Sequence, residues 1–471
     1  MNEHKPGRTI EILDTTLREG EQTANVSFSV DEKLEIARRL DEFGVDIIEA
    51  GHPVVSPDVR EAVERIAHEG FRAQVLAHAR AMRSDIDDAL TAGTVWVGIF
   101  LGTSPLSLEH KLHISREVAL EKIVDSICYA KDHGLKVRFT PEDATRTELD
   151  YLLEVVGRAE EAGADRISIA DTVGTMHPTA MRVLVDQVVS QLSVPVHVHC
   201  HNDYGMAVAN SLAGYEAGAR LIDVTVNGLG ERTGLASLAE VIIALKMLYH
   251  VENDWALEML PELSHLVEKY SGVFNSDLAP IVGMSAFSHK AGLHTRAVLE
   301  DPRTYEAIPP EIVKRHRQII IDKYTGRDTV RARLEEMGIK PTAAQLEEIV
   351  SRIKEKPVKR HFTDIDLLEI ADDVLELDVR RRVPIKIEAI VAMALSSVSY
   401  TTRITRRVMA FDEVDQVYEI AGEYDLIAHV TADSIQDLND IIEELRTTEG
   451  VNKTTTSLIL KGYEYTQQDI G

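Results

Sequence analysis

Three histidines stand at alternate positions, 197, 199 and 201, in the stretch VPVHVHCHNDYG that spans residues 194–205. The stretch is β-branched and extended in character. In a strand, side chains alternate faces, so all three imidazoles point to the same side. Two imidazoles one strand-step apart, near a strand end, suit one metal ion, and His197 would lie two residues deeper. The competing expectation is that the three simply fill a sheet face. A divalent cation also needs a carboxylate, and the stretch DTTLREGEQ at residues 14–22 offers one in Glu19. One carboxylate and two imidazoles make a three-ligand site with positions left open for substrate. Glu19, His199 and His201 are therefore the expected ligands of a divalent ion (Mg, Mn or Zn), which would act as a Lewis acid on a carbonyl oxygen.

These residues need elements to hold them. From residue 9 to about 250, short apolar runs alternate with helix-period segments. The runs are IEILDT (10–15), VDIIEA (45–50), RAQVLAH (72–78), VWVGIFL (95–101), LKVRFT (135–140), DRISIA (165–170), VPVHVHC (194–200) and LIDVTV (221–226). The segment 29–44 reads as a helix with Ser29 or Asp31 as cap and Gly44 as stop. Others read as helices at 115–134 and 206–219. Eight β/α units in about 250 residues predict a (β/α)8 TIM barrel. A doubly wound open sheet is the alternative, weakened because no Gly-rich phosphate turn follows the first strand.

From about 251 to 383 the pattern is helical with proline punctuation, and EEMGIKPTAAQLEEIVSRIKEK reads as two helices around a turn. After Pro384 the order strand, helix, hairpin, helix, strand is that of a ferredoxin-like βαββαβ domain. The expected domains are 1–275, 276–383 and 384–471. In a barrel of this kind, chemistry sits at the C-terminal ends of the strands. Arg18, Glu19 and Gln22 follow strand 1, and His78 ends strand 3. Arg138, Thr140 and Glu142 end strand 5, Thr172 follows strand 6, and Glu231 and Arg232 follow strand 8. Arg138 and Thr140 share a face and, with His78, suit a carboxylate that Arg grips with its fork.

Bulk properties exclude several classes. The formal net charge of −27 over 471 residues leaves no basic footprint for nucleic acid. No apolar run is long enough to cross a bilayer. Two distant cysteines make no disulfide framework, so a reducing cytoplasm is expected.

Four motifs, DTTLREGEQ, HCHNDYGMAVANSLAGYEAGA, GLGERTG and FSHKAGLHTRAV, resemble the isopropylmalate synthase and homocitrate synthase family over about residues 8–340. That resemblance implies a metal-dependent Claisen condensation of acetyl-CoA with a 2-oxo acid. Glu19 in LREG, and His78 and Arg138 in AHAR and VRF, resemble the homocitrate synthase side of the family. They imply 2-oxoglutarate as the acceptor, held with Gln22, Thr140, Thr172 and His294. A branched-chain 2-oxo acid would leave Arg138 unpaired in a pocket, a costly arrangement. His197 departs from the pattern, since several homocitrate synthases carry Glu there. The resemblance further implies that Arg18 stabilises negative oxygen and that Glu142, His289 and Tyr305 form an acid–base group. The helical region reaches into a neighbouring barrel in that family, so a homodimer or higher homo-oligomer is implied. Isopropylmalate or citramalate synthase activity is the nearest alternative, and a catalytically inactive amino-acid-binding regulator a more distant one. Residues 385–462 resemble the amino-acid-sensing domain of leucine-responsive regulators. They imply feedback control, with lysine the expected effector near Gly422, Glu423, Tyr424 and Asp425.

Overall fold

The computed structural model describes residues 10–290, 297–298, 300–321, 325–355, 364–375, 387–395, 401–409, 411, 413–420, 424–432, 435–448 and 450–459. Eight parallel strands close into a barrel: β1 (Glu11–Asp14), β2 (Ile47–Gly51), β3 (Gln74–Arg80), β4 (Trp96–Gly102), β5 (Lys136–Glu142), β6 (Arg166–Asp171), β7 (Val196–Cys200) and β8 (Leu221–Val224). β1 pairs with both β2 and β8, which is the closure that periodicity could not prove. Every expected strand is present, and the open-sheet alternative falls.

Local chemistry explains the helices that wrap the barrel. Helix α1 (Val30–Phe43) starts at Ser29, whose hydroxyl accepts from the Glu32 N–H while the Glu32 carboxylate accepts from the Ser29 N–H. This reciprocal pairing satisfies two of the orphan donors of a helix start. Gly44 stops the helix in the left-handed region at φ 100°, where a Cβ would be strained. The helix then buries Leu34, Ile36, Ala37, Leu40 and Phe43 toward the strands.

The barrel has two distinct interiors. Between strands and helices runs a large apolar core that includes Ile12, Ile48, Val97, Ile99, Val137, Ile169 and Val198. Residues of opposite parity face the barrel axis. Leu13, Ile47, Leu76, Trp96 and Leu221 form an apolar layer there. One strand-step higher, the axis-facing positions are Glu49, His78, Arg138, His199 and Asp223, all with little or no exposed surface. Barrel cores are normally filled with branched aliphatics. Here the upper layer is charged instead, toward the C-terminal ends of the strands.

By packing, the chain divides into residues 1–319 and 320–471. In the first unit the barrel is followed by a helix at Leu260–Ser271 and a parallel pair, β9 (Ser288–His289) with β10 (Gln318–Ile319). The second unit contains helices at Arg327–Glu336, Ala343–Glu355 and Asp364–Leu375 around Val330, Leu334, Ile349 and Leu367. It also contains an antiparallel sheet of β11 (Ile387–Leu395), β12 (Val414–Glu419), β13 (Leu426–Ala432) and β14 (Val451–Leu458), ordered β12-β13-β11-β14. Helices at Thr401–Val408 and Ile435–Thr447 complete the βαββαβ order. Their residues Ile404, Val408, Leu438 and Leu445 share a core with Val391, Met393, Ala428 and Val430.

Candidate active site

Two carboxylates organise the charged layer. Glu49 of β2 accepts from Arg138 Nη2 at 2.7 Å, Arg18 Nε at 2.8 Å and His78 Nδ1 at 3.0 Å. Asp223 of β8 meets His197 Nδ1 at 2.9 Å, His199 Nδ1 at 3.2 Å and Arg138 Nη1 at 3.4 Å. Burial alone would raise both acids, but their cationic and hydrogen-bonding partners outweigh it and hold both well below the usual carboxylate range. Burial, reinforced by Arg18, pushes His78 down to about 4 and leaves it neutral at physiological pH. Room for Arg138 comes from Gly98 of β4, where an added Cβ would stand 2.9 Å from the guanidinium.

At the top of this layer His199 is joined by Glu19 and His201, a group of described residues whose donor atoms lie within 4.8 Å of one another. His201 Nε2 is 3.7 Å from Glu19 Oε1, and His199 Nε2 is 4.0 Å from Glu19 Oε2. Both separations are too long for hydrogen bonds. Two donors each about 2.1 Å from one cation stand no more than about 4.2 Å apart, so these distances fit a shared ion. Protonation states fit as well. Burial would raise Glu19, yet Arg18, His199 and His201 hold it down to about 2. Burial and the neighbouring His199 push His201 down to about 4, giving a neutral imidazole with a free lone pair. The Glu231 N–H donates to Glu19 Oε1 at 3.1 Å, which fixes the carboxylate.

The cavity over these groups has a volume of about 330 Å³. Arg18, Glu19, Gln22, His78, Arg138, Thr140, Glu142, Thr172, His199 and His201 all line it. Glu142 is held by Lys111, whose Nζ reaches both carboxylate oxygens at 2.7 and 2.8 Å. Arg232 ties the rim together, binding Asp203 at 2.7 Å and the Thr172 carbonyl at 2.8 Å. His78 stacks on Phe100 with ring centroids 4.5 Å apart. His197 is fully buried beneath the pocket and does not line it.

The remaining expected site residues lie elsewhere. His289 and Tyr305 line a second cavity in the segment 278–308, together with Glu306. There Glu306 pairs with His289 at 3.1 Å and with Arg317 Nη2 at 2.7 Å. Neither His289 nor Tyr305 lines the barrel cavity of the same chain. His294, Gly422 and Glu423 lie outside the described residues. Tyr424 bonds Thr455 Oγ1 at 2.9 Å, and Asp425 accepts from the Leu395 N–H at 2.7 Å. Asp425 is thereby committed to the sheet.

Glu49, Asp223 and Lys111 are among the residues that escaped the sequence reading. The first two carried a signal. Each is an acid set among apolar strand residues, in IIEAG (47–51) and LIDV (221–224), and a buried acid is costly unless it is paired. They also correct one premise. Arg138 is not left unpaired when the pocket holds an apolar substrate, because Glu49 and Asp223 already pair with it.

Comparison with known proteins bears on the whole chain. Residues 9–267 match the HMGL-like family model, 281–361 the homocitrate synthase post-HMGL domain, and 388–469 the Lrp/AsnC ligand-binding domain. The homocitrate synthase of Sulfolobus acidocaldarius is 46% identical over 455 residues, 96% of this chain and 97% of that one. That of Sulfurisphaera tokodaii is 46% identical over 96% of this chain and 99% of its own. Among solved structures, the HMG-CoA lyase of Bacillus subtilis aligns with a TM-score of 0.52 at 19% identity, over 57% of this chain and 96% of that one. At that identity the likeness speaks for the barrel fold alone. With a barrel model over more than half its length and full-length relatives at 46% identity, the chain belongs to the homocitrate synthase family of HMGL-like barrels.

Proposed function

We propose that this chain is a metal-dependent homocitrate synthase, an acyltransferase that condenses acetyl-CoA with 2-oxoglutarate to give homocitrate and CoA. One observation carries the choice of substrate. At the cavity wall, Arg138 Nε, Thr140 Oγ1 and Ser168 Oγ are buried with no hydrogen-bond partner among the described residues. An apolar branched tail would leave these polar atoms unsatisfied, whereas a distal carboxylate would offer them acceptors. The relatives named above carry the same activity in their names.

Glu19, His199 and His201 would hold a divalent cation, whether Mg, Mn or Zn, and that cation would supply Lewis acidity toward a carbonyl oxygen. The chain's own residues do the rest. Arg138, Thr140 and His78 hold the distal carboxylate, and Gln22, Thr172 and His294 the remainder of the acceptor. Arg18, fixed by Glu49, faces the reacting oxygens as a permanent positive charge. Deprotonating the thioester methyl needs a placed base. Glu142 stands at the mouth for that task, with His289 and Tyr305 as its acid–base partners. Since those two line a separate cavity within one chain, a second copy supplies them, and the working form is a homodimer or larger. Hydrolysis of the thioester then releases CoA. No helix among the described residues is long and apolar enough to cross a membrane, and we assign the enzyme to the cytoplasm.

A condensation assay over a panel of 2-oxo acids, read by CoA release, tests this proposal. Turnover with 2-oxoglutarate above 2-oxoisovalerate and pyruvate is the expected result, and preference for 2-oxoisovalerate sinks it. We also assign lysine as feedback effector acting through residues 384–471, near Tyr424. Deleting that segment should leave an active enzyme that lysine no longer inhibits. Retained inhibition, competitive with 2-oxoglutarate, moves the effector to the active site.

A further inference from the structure

The two imidazoles that face Glu19 are supported differently. His201 Nδ1 is buried with no hydrogen-bond partner among the described residues. His199 Nδ1 instead meets Asp223 Oδ2 at 3.2 Å, while its Nε2 points to Glu19 at 4.0 Å. The His199 ring thus lies between two carboxylates, one on each nitrogen. Asp223 is fully buried, and its two oxygens face the permanently charged Arg138 guanidinium and the two imidazoles, so it serves here as an acceptor. It takes the proton on Nδ1 and leaves the Nε2 lone pair facing Glu19. An imidazole ligand needs its free nitrogen fixed in this way, because a ring carrying its proton on the other nitrogen cannot bind a cation there.

Asp223 is itself held. Its second oxygen accepts from His197 Nδ1 at 2.9 Å, and Arg138 Nη1 approaches Oδ2 at 3.4 Å. His197 has no exposed surface and its Nε2 finds no partner among the described residues, so its contribution is to occupy Oδ1. With Oδ1 taken, the carboxylate cannot turn away from His199. The register supports the arrangement, since His199 of β7 lies directly opposite Asp223 of β8.

We infer that Asp223 is a positioning residue for cation binding: it fixes the His199 ring with Nε2 free, and His197 and Arg138 fix Asp223. This rests on Glu19, His199 and His201 being the metal site proposed above. It accounts for the third histidine of the 197–199–201 series, which supports the site from below without touching it.

The test is metal affinity, with Co²⁺ titrated into chelator-stripped full-length protein and followed by calorimetry and by the cobalt absorption bands. Asp223→Asn keeps the shape but can donate as well as accept, so it frees the ring to take the other tautomer. It should bind Co²⁺ 10- to 100-fold more weakly, the usual cost of losing such a partner. His197→Gln, which still donates to Oδ1, should lose less. If the parent protein binds Co²⁺ and Asp223→Asn binds within tenfold of it, Asp223 has no positioning role and only this inference falls. If the parent binds no Co²⁺, the metal site falls with it. Should Asp223→Asn fail to fold, ¹⁵N-histidine spectra of the metal-free parent decide, with His199→Asn for assignment. A proton on Nδ1 of His199 supports the inference, and a proton on Nε2 overturns it. A purely structural role for Asp223 would move neither the affinity nor the tautomer.

Discussion

Two parts of this chain put a histidine beside a carboxylate at nearly the same distances. In the barrel, Asp223 lies 2.9 and 3.2 Å from His197 and His199. In the C-terminal sheet, His429 lies 3.1 Å from Asp415 and 3.5 Å from Glu388. The geometry is alike, but the surroundings differ. The Asp223 side chain is 0% exposed, whereas Asp415 and Glu388 are 48% and 45% exposed. Water screens the second group, and such exposed pairs contribute about 0–1 kcal/mol. Removing one partner from a buried group leaves an uncompensated charge and costs about 3–5 kcal/mol. The same residue types are therefore a screened surface group in one place and the frame of a buried charged layer in the other. Burial, more than composition or spacing, separates them.

The largest test of that contrast is His201→Ala. It removes one of three expected ligands at the rim, and it should abolish stoichiometric metal and cut turnover by about a thousandfold or more, while the circular dichroism melt stays cooperative. Full metal occupancy in this variant would break the site assignment.

Arg138→Ala comes next. It strips the shared partner from Glu49 and Asp223 and removes a donor from the cavity wall. Productive binding of 2-oxoglutarate should fall by ~2–4 kcal/mol. Comparison of kcat/KM for dicarboxylate and branched-chain 2-oxo acids checks it, since equal losses for both would confine Arg138 to a structural role.

A pH test sharpens the same comparison from the folding side. Asp14 is fully buried at the end of β1, accepts from the Thr16 N–H at 2.8 Å, and is pushed up to about 7 by that burial. Its folded-state value lies above its ordinary 3.8. The stability it contributes is therefore complete below about pH 4 and is lost as pH rises through about 7. Asp14→Asn should flatten the fall in unfolding free energy between pH 5 and pH 9 by an amount on the order of 2–4 kcal/mol. Denaturant midpoints at the two pH values measure it, and an unchanged slope would mean that Asp14 is ionised and solvated in the folded protein.

The smallest effect is expected at His429→Ala. Thermal unfolding should register a change under about 1 kcal/mol, and turnover should stay at the parent level. A loss comparable to that at Arg138 would show that exposed and buried groups of this kind are not so different after all.

Much of this was legible in the sequence. Eight apolar runs fixed the number of β/α units, because a strand shows its period over four to eight residues without knowing its neighbours. The rim residues Arg18, Glu19, Arg138, His199 and His201 were found because chemistry in a barrel is confined to strand ends. Alternation placed 197, 199 and 201 on one face, but it names a face and not the neighbours across from it. That Arg138 reaches Glu49, 89 residues away, and Asp223, 85 residues away, follows from barrel closure and register, which no local pattern encodes. Nor could spacing say that His289 and Tyr305 would line a cavity apart from Glu142. The sequence alone determined which groups are present and which way each strand turns them. The tertiary structure decided which of them lose water, because desolvation depends on every element packed around a group at once, and that loss of water turns an ordinary carboxylate into the anchor of a site.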